Sequence, residues 1–137
     1  MTEMLKQYAA IDVGKIDHLR RLAETIQGLK VVHVNSTREG GGVAEILHRM
    51  IPMKRELGLD ASWEVIEGDA PFYRCTKQIH NALQGNREPI ADDLLANYEA
   101  VNAANFERLR TTLEEADVVF IHDPQPAPLL NYCSNRR

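Results

Sequence analysis

Apolar residues along the chain follow two patterns, short compact stretches and helical spacing. The stretches at 30–35, 61–67 and 117–122 are rich in β-branched and aromatic residues and are typical of buried strands. Elsewhere apolar residues recur every three or four positions, which predicts amphipathic helices over 15–27, 43–57, 72–83 and 92–115. Strands and helices that alternate in this order build a parallel sheet covered by helices on both faces. The chain is therefore predicted to be an α/β protein.

Breaks in the pattern define the segments between and around these elements. Residues 1–14 are weakly patterned and are interpreted as an N-terminal arm or a short helix, whereas 15–137 form one domain. Pro52 lies inside the second predicted helix, where a missing backbone donor predicts a kink or an early break. Two unusual loops, 36–42 with three glycines and 122–128 with three prolines, directly follow strands. Because ligands of parallel sheets bind at the carboxyl ends of the strands, these loops mark the candidate site.

Composition excludes several functional classes. The 137 residues carry 16 Lys and Arg against 20 Asp and Glu, and a formal charge of -4 lacks the cationic footprint of nucleic-acid binding. No stretch approaches the roughly 20 apolar residues of a membrane span, and the first residues do not resemble a signal peptide. The two cysteines, Cys75 and Cys133, form no CxxC pair. The chain is therefore predicted to be a reduced, cytoplasmic protein without nucleic-acid or membrane partners.

The glycine-rich loop is the first candidate for chemistry. Gly40, Gly41 and Gly42 precede a helix, and the free backbone N–H groups of a helix start attract phosphate. Three consecutive glycines exceed what a tight turn requires, so an anion or sugar site is favoured. The loop is not a P-loop, because no Gly-Lys-Ser/Thr follows. A dinucleotide site is an alternative in which Glu67 would bind ribose, although Glu45 occupies the position of the third glycine.

The end of the third strand is the second candidate. His122 and Asp123 stand there, and a rigid strand end can hold groups against sugar hydroxyls or a reacting centre. The Gln125 side chain could point toward the same site. The alternative for Asp123 is a turn residue whose side chain hydrogen-bonds to its own backbone. His33 lies between valines and is interpreted as a core histidine with satisfied hydrogen bonds. No histidine pair has metal-ligand spacing and no GxSxG motif occurs, so neither a metal site nor a serine nucleophile is predicted.

Three long segments carry a family resemblance: VVHVNSTREGGGVAEILHRMIP, SWEVIEGDAPFYRCTKQIHNALQG and FIHDPQPAPLL. Together with their spacing they resemble the N-terminal part of nucleotide-sugar-dependent trehalose synthases and of the similar trehalose phosphorylases. Both are retaining glycosyltransferases of GT-B architecture, and the likeness covers residues 15–137. The resemblance implies a Rossmann-like sheet, the truncated N-terminal half of a GT-B fold, with the active site between two domains.

The resemblance also implies a reaction and its residues. Glucose would pass from a nucleotide diphosphate glucose to glucose, giving trehalose, and no cofactor or metal is implied. The glycine loop would meet the donor phosphate and sugar through Gly40, Gly41, Gly42 and Val43. The catalytic pair at the reacting sugar would be His122 and Asp123. The acceptor sugar would be bound by Asn35, Glu45, Trp63 and Gln125, with a place in the core as the alternative for Trp63.

One departure from the family is large. The family continues with further strands and a whole nucleotide-binding domain, so the chain is interpreted as an N-terminal fragment that is inactive alone. A truncated sheet leaves an edge and an apolar face open, which predicts a homodimer or another homo-oligomer. Two other readings stay open: a small nucleotide- or dinucleotide-binding module, and a non-catalytic assembly unit that retains the fold.

Overall fold

A computed structural model describes residues 3–134 of the chain, in which six helices and three strands occur. In chain order these elements are α1 (Glu3–Ala9), α2 (Val13–Glu24), β1 (Lys30–Asn35), α3 (Gly42–Glu56), β2 (Asp60–Val65), α4 (Ala70–Leu83), α5 (Asp92–Glu114), β3 (Val118–Ile121) and α6 (Leu129–Tyr132). Residues 135–137, which belong to the predicted domain, lie outside the described residues.

The three strands form one parallel sheet in the order β2-β1-β3. The central strand β1 is buried from Val31 to Asn35, as expected for a parallel strand with neighbours on both sides and helices on both faces. In register, His33 lies opposite Trp63 of β2 and opposite Phe120 of β3. The predicted Rossmann-like α/β fold is confirmed.

The two faces of the sheet are covered by different helices. Alternate residues of a strand point to opposite faces, so Val32 and Val34 share one face and His33 and Asn35 the other. The first face packs against α4, α5 and α6 in a cluster whose buried members are Val32, Val34, Ile66, Phe72, Cys75, Tyr98, Phe106, Leu109, Leu113 and Leu129. The second face packs against α3 through Ala44, Leu47, Ile51, Ala61 and Trp63.

Aspartate side chains cap the starts of two helices. The Asp12 carboxylate accepts a hydrogen bond from the Lys15 backbone N–H at 3.0 Å and starts α2, so this helix begins two residues before the predicted boundary at 15. Asp69 does the same for α4, accepting from the Phe72 N–H at 2.8 Å. Helix α3 runs past Pro52 to Glu56, so of the predicted kink or early break, the early break does not occur.

The N-terminal segment is packed against the domain. Residues 3–9 form α1, in which Leu5 is buried and donates its backbone N–H to the Glu56 carboxylate at 2.9 Å. This contact joins α1 to the last turn of α3. Within residues 3–134 no helix is long and apolar enough to cross a membrane.

Candidate functional site

The site lies where the carboxyl ends of β1 and β3 meet. The chain leaves β1 through α3 on one face and reaches β3 through α4 and α5 on the other, so the connections part between these two strands. Such a switch point opens a crevice at the carboxyl edge of an α/β sheet. Val34 lies opposite Ile121, and the His122 N–H donates to the Val34 carbonyl at 2.9 Å. The loop after Asn35 and the loop after Ile121 therefore start side by side.

The glycine loop presents bare backbone at the start of α3. Gly40 and Gly41 have φ of 72° and 89°, a region that favours glycine, and Gly41 caps α3 without any side-chain hydrogen bond. A Cβ atom placed on Gly40, Gly41 or Gly42 would meet nothing within 4 Å. Val43 is half-buried beside them in the first turn of α3. The loop is thus open to a ligand that takes hydrogen bonds from backbone N–H groups.

Two of the predicted acceptor residues hydrogen-bond each other inside the sheet. The Trp63 indole N–H donates to the Asn35 side-chain oxygen at 2.8 Å, and both side chains are buried. The Asn35 amide also donates to the Thr37 carbonyl at 2.7 Å and so shapes the start of the glycine loop. The Arg38 guanidinium lies 4.7 Å from the Trp63 ring centroid and donates to the Trp63 carbonyl at 2.8 Å. This geometry places Trp63 in the core, with Arg38 covering it.

The other two predicted acceptor residues lie in the first turn of α3 and in the loop after β3. Glu45 is exposed in the first turn of α3, close in sequence to the glycines. Gln125 follows β3, and its side-chain oxygen is buried without a hydrogen-bond partner among the described residues. Its backbone is fixed by the Asn102 amide, which donates to the Gln125 carbonyl at 3.1 Å. The side-chain oxygen of Gln125, in the same loop as His122 and Asp123, thus lacks within residues 3–134 the hydrogen bond that buried polar atoms usually make.

Asp123 has an unusual backbone conformation. Its φ is 66°, and it is the one non-glycine residue with positive φ among residues 3–134. Aspartate tolerates this region better than most residues, but the conformation still stores strain of the kind that clusters at functional sites. Asp123 is exposed and directly follows His122.

His122 is joined to Lys54 through His33, a connection that the sequence did not predict. The Lys54 ammonium of α3 lies 2.7 Å from His33 Nε2, and His33 Nδ1 lies 2.9 Å from His122 Nε2. His33 is buried, as predicted, and its ring stacks on Phe120 with centroids 4.6 Å apart. The only sequence signal for this contact was a histidine inside an apolar strand, and nothing in the spacing pointed to Lys54.

Burial determines the protonation of Lys54, His33 and His122, which form a row of contacting side chains. Desolvation, assisted by the charges of Lys54 and His122, lowers the pKa of His33 to about 4. Desolvation also lowers the pKa of His122, with Lys54 acting in the same direction and Asp123 opposing it. The pKa of Lys54 is lowered by burial too. Both imidazoles are therefore neutral near pH 7, next to a lysine that can donate hydrogen bonds.

Glu67, the acid of the alternative dinucleotide reading, lies at a different strand end. It follows β2 and borders a cavity of about 320 Å³ that Gly68, Asp69, Val101, Ala104, Asn105 and Arg108 also line. The Glu67 carboxylate lies 3.8 Å from the Arg108 guanidinium, and its backbone is held at both polar atoms by Asn105.

Among residues 3–134 no group of three or more His, Cys, Asp or Glu side chains is arranged to hold a metal ion.

Comparison with known proteins assigns this Rossmann-like domain to a family. Residues 33–137 match the family model described as trehalose synthase, N-terminal domain. The chain belongs to this family, and the expected likeness to trehalose synthases and trehalose phosphorylases is confirmed.

Three relatives show how far the likeness extends. The chain is 45% identical over 123 residues to the trehalose synthase of Thermococcus litoralis and 44% identical over 109 residues to that of Rubrobacter xylanophilus. It is 33% identical over 140 residues to the trehalose phosphorylase of Pleurotus pulmonarius. These matches cover 89%, 80% and 92% of this chain but 29%, 26% and 18% of the three relatives. The chain spans less than a third of the length of the relatives it matches.

Proposed function

We propose that this chain is the acceptor-side domain of a retaining glycosyltransferase that forms trehalose from a nucleotide diphosphate glucose and glucose. The observation that carries the proposal is that two unusual features follow the adjacent carboxyl ends of β1 and β3. The glycine start of α3, which has no side-chain cap, follows β1, and His122 with the strained Asp123 follows the neighbouring strand β3. Membership of the trehalose synthase N-terminal domain family supports the choice of sugar chemistry over other ligands of such crevices.

Each feature has a role in the proposed transfer. The backbone N–H groups of Gly41, Gly42 and Val43 bind the donor phosphate, since a helix start stabilises negative charge. His122 and Asp123 contact the reacting sugar and the acceptor hydroxyl. When the glycosidic bond to phosphate breaks, the leaving phosphate takes the proton of the acceptor hydroxyl, which bonds to the anomeric carbon on the same face. Preoriented N–H dipoles lower the free energy of this transition state because negative charge grows on the phosphate.

The isolated chain is proposed to bind sugar without turning it over. Glycosyl transfer needs both substrates held in line and shielded from water, which a crevice open on one side does not achieve. The relatives supply more than two thirds of their length beyond the matched region. Incubation of the purified chain with glucose and UDP-glucose, ADP-glucose or GDP-glucose is expected to yield no trehalose, and appreciable trehalose would contradict this part of the proposal.

Amide NMR of the 137-residue chain tests the site directly. Glucose and trehalose are titrated separately, and saturable shifts are expected at residues 40–43 and 122–125. A matched pair of variants sharpens the result: Asp123→Asn removes a charge at the crevice, whereas Asp60→Asn removes one at the opposite, amino end of β2. Only the first is expected to weaken the shifts. No shift with either sugar, or shifts with NADH alone, would overturn the acceptor-side assignment and favour an assembly unit or a dinucleotide module.

A further inference from the structure

A continuous row of hydrogen bonds runs from α3 through the sheet to the crevice. It starts at the Lys54 ammonium, passes through both ring nitrogens of His33 and ends at Nε2 of His122, with distances of 2.7 and 2.9 Å. The row joins α3, β1 and the residue that follows β3. It lies on the sheet face that carries Phe120, against which both the Lys54 ammonium (4.3 Å from the ring centroid) and the His33 ring are packed.

The direction of each hydrogen bond follows from the groups present. An ammonium group has donors and no acceptor, so Nε2 of His33 must be the bare, accepting nitrogen. A neutral His33 then carries its proton on Nδ1 and donates it to Nε2 of His122. Nε2 of His122 is consequently an acceptor, and the proton of this ring lies on Nδ1. Among residues 3–134 no hydrogen bond is made to Nδ1 of His122, so this N–H is available to a ligand.

We propose that Lys54 and His33 are positioning residues that hold His122 in the neutral, Nδ1-protonated form, so that it offers a ligand a hydrogen-bond donor. The inference rests on the proposed function only for the identity of that ligand, a sugar or phosphate oxygen. It makes His122 a donor to the reacting sugar or leaving phosphate and excludes it as a general base at Nδ1. Outside the row, the charged group that acts on it is Asp123, beside His122.

The packing explains why the row holds the His122 ring in one orientation. The His33 and His122 rings are nearly parallel, 13° apart, with centroids 5.2 Å from each other. His33 is 1% exposed, so its ring cannot exchange its partners for water. Because both ring nitrogens of His33 are paired, the Lys54 donor fixes the tautomer of His33, which in turn fixes the tautomer of His122. Reversing one of these hydrogen bonds would place two donors or two acceptors opposite each other.

Long-range proton–nitrogen NMR of the imidazole rings tests this inference without any sugar. Protonated and bare ring nitrogens resonate far apart, so each tautomer is read directly at neutral pH. In the unmodified chain His33 and His122 are both expected to be protonated at Nδ1. Finding His122 protonated at Nε2 would overturn the inference, whereas the sugar titration alone decides the proposed function.

Three variants isolate the contribution of Lys54. Lys54→Met keeps the aliphatic length but removes the donor, so the Nε2-protonated form of His122 is expected to appear. Lys54→Arg keeps a donor and is expected to retain the single Nδ1-protonated form of His122. If the methionine variant fails to fold, the comparison of Lys54→Arg with the unmodified chain remains, and loss of this form in Lys54→Arg would contradict the inference. Lys77→Met, on the exposed side of α4, is the control and should leave both rings unchanged. An unchanged His122 tautomer in a folded Lys54→Met variant would show that Lys54 does not act through His33.

Discussion

At the residue scale, His33 links the stability of the fold to pH. The folded chain holds this imidazole neutral with a pKa of about 4, whereas the ordinary pKa of 6.5 applies once the chain unfolds. Below pH 6.5 the unfolded chain therefore binds a proton that the folded chain refuses until about pH 4. The free energy of unfolding is expected to fall by about 3 kcal/mol over this range. His122, whose pKa is also lowered, adds to the loss in the same direction.

Urea denaturation at a series of pH values between 7.5 and 4 measures this loss. The double variant His33→Phe, Lys54→Met replaces the central pair with apolar groups and is expected to flatten the dependence. His18→Gln removes an exposed histidine from α2 and serves as the control. A free energy of unfolding that stays constant between pH 6.5 and 4.5 in the unmodified chain would contradict the assignment of a neutral His33.

The residues of this row also show where sequence reasoning reaches its limit. That His33 is buried and satisfied follows from valines on both sides of it in a strand. Its partners do not follow, because they depend on the register of β3 against β1 and on the rotation of α3. His122 was recognised because it ends a strand before a proline-rich loop, whereas Lys54 looked like any other charge on a helix.

At the element scale, the start of α3 provides a matched test of the glycine loop. Gly41 has φ of 89° and ψ of 152°, a conformation almost closed to other residues, whereas Gly42 has no positive φ. Both positions have open space for a Cβ atom, so only backbone strain separates them. Gly41→Ala is expected to cost about 1–3 kcal/mol of stability, and Gly42→Ala little or nothing. Thermal and urea denaturation of the two variants measure the difference, and equal stabilities would show that the loop adopts another conformation.

Elements with long periodic patterns could be predicted, and those set by local contacts could not. Strand β1 was predicted at its observed limits, and α3, α4 and α5 were predicted to within two residues at each end. The four-residue α6 was missed, because a short turn after three prolines has no periodicity to reveal it. Helix α3 continues past Pro52 because tertiary packing of Leu47 and Ile51 outweighs the loss of one backbone hydrogen bond.

At the scale of the whole molecule, β3 leaves an apolar face uncovered. Val118 and Phe120 are 36% and 43% exposed on the sheet side that α3 covers only over β1 and β2. Within the described residues β3 is also an edge strand, whose unpaired backbone groups can pair with another chain. We propose that the isolated chain forms a homodimer through this edge and face.

Analytical ultracentrifugation of a matched pair of variants tests the dimer. Val118→Lys places a charge on the proposed interface, and Ile11→Lys adds the same charge at an 84% exposed position between α1 and α2. Burying an unpaired ammonium in an apolar interface is unfavourable, so only Val118→Lys is expected to shift the chain from dimer to monomer. A monomeric unmodified chain at high concentration would contradict the proposal, and a dimer that survives Val118→Lys would place the interface elsewhere. Since the same face adjoins the Lys54–His33–His122 row, a confirmed dimer would also predict altered His122 resonances on dilution.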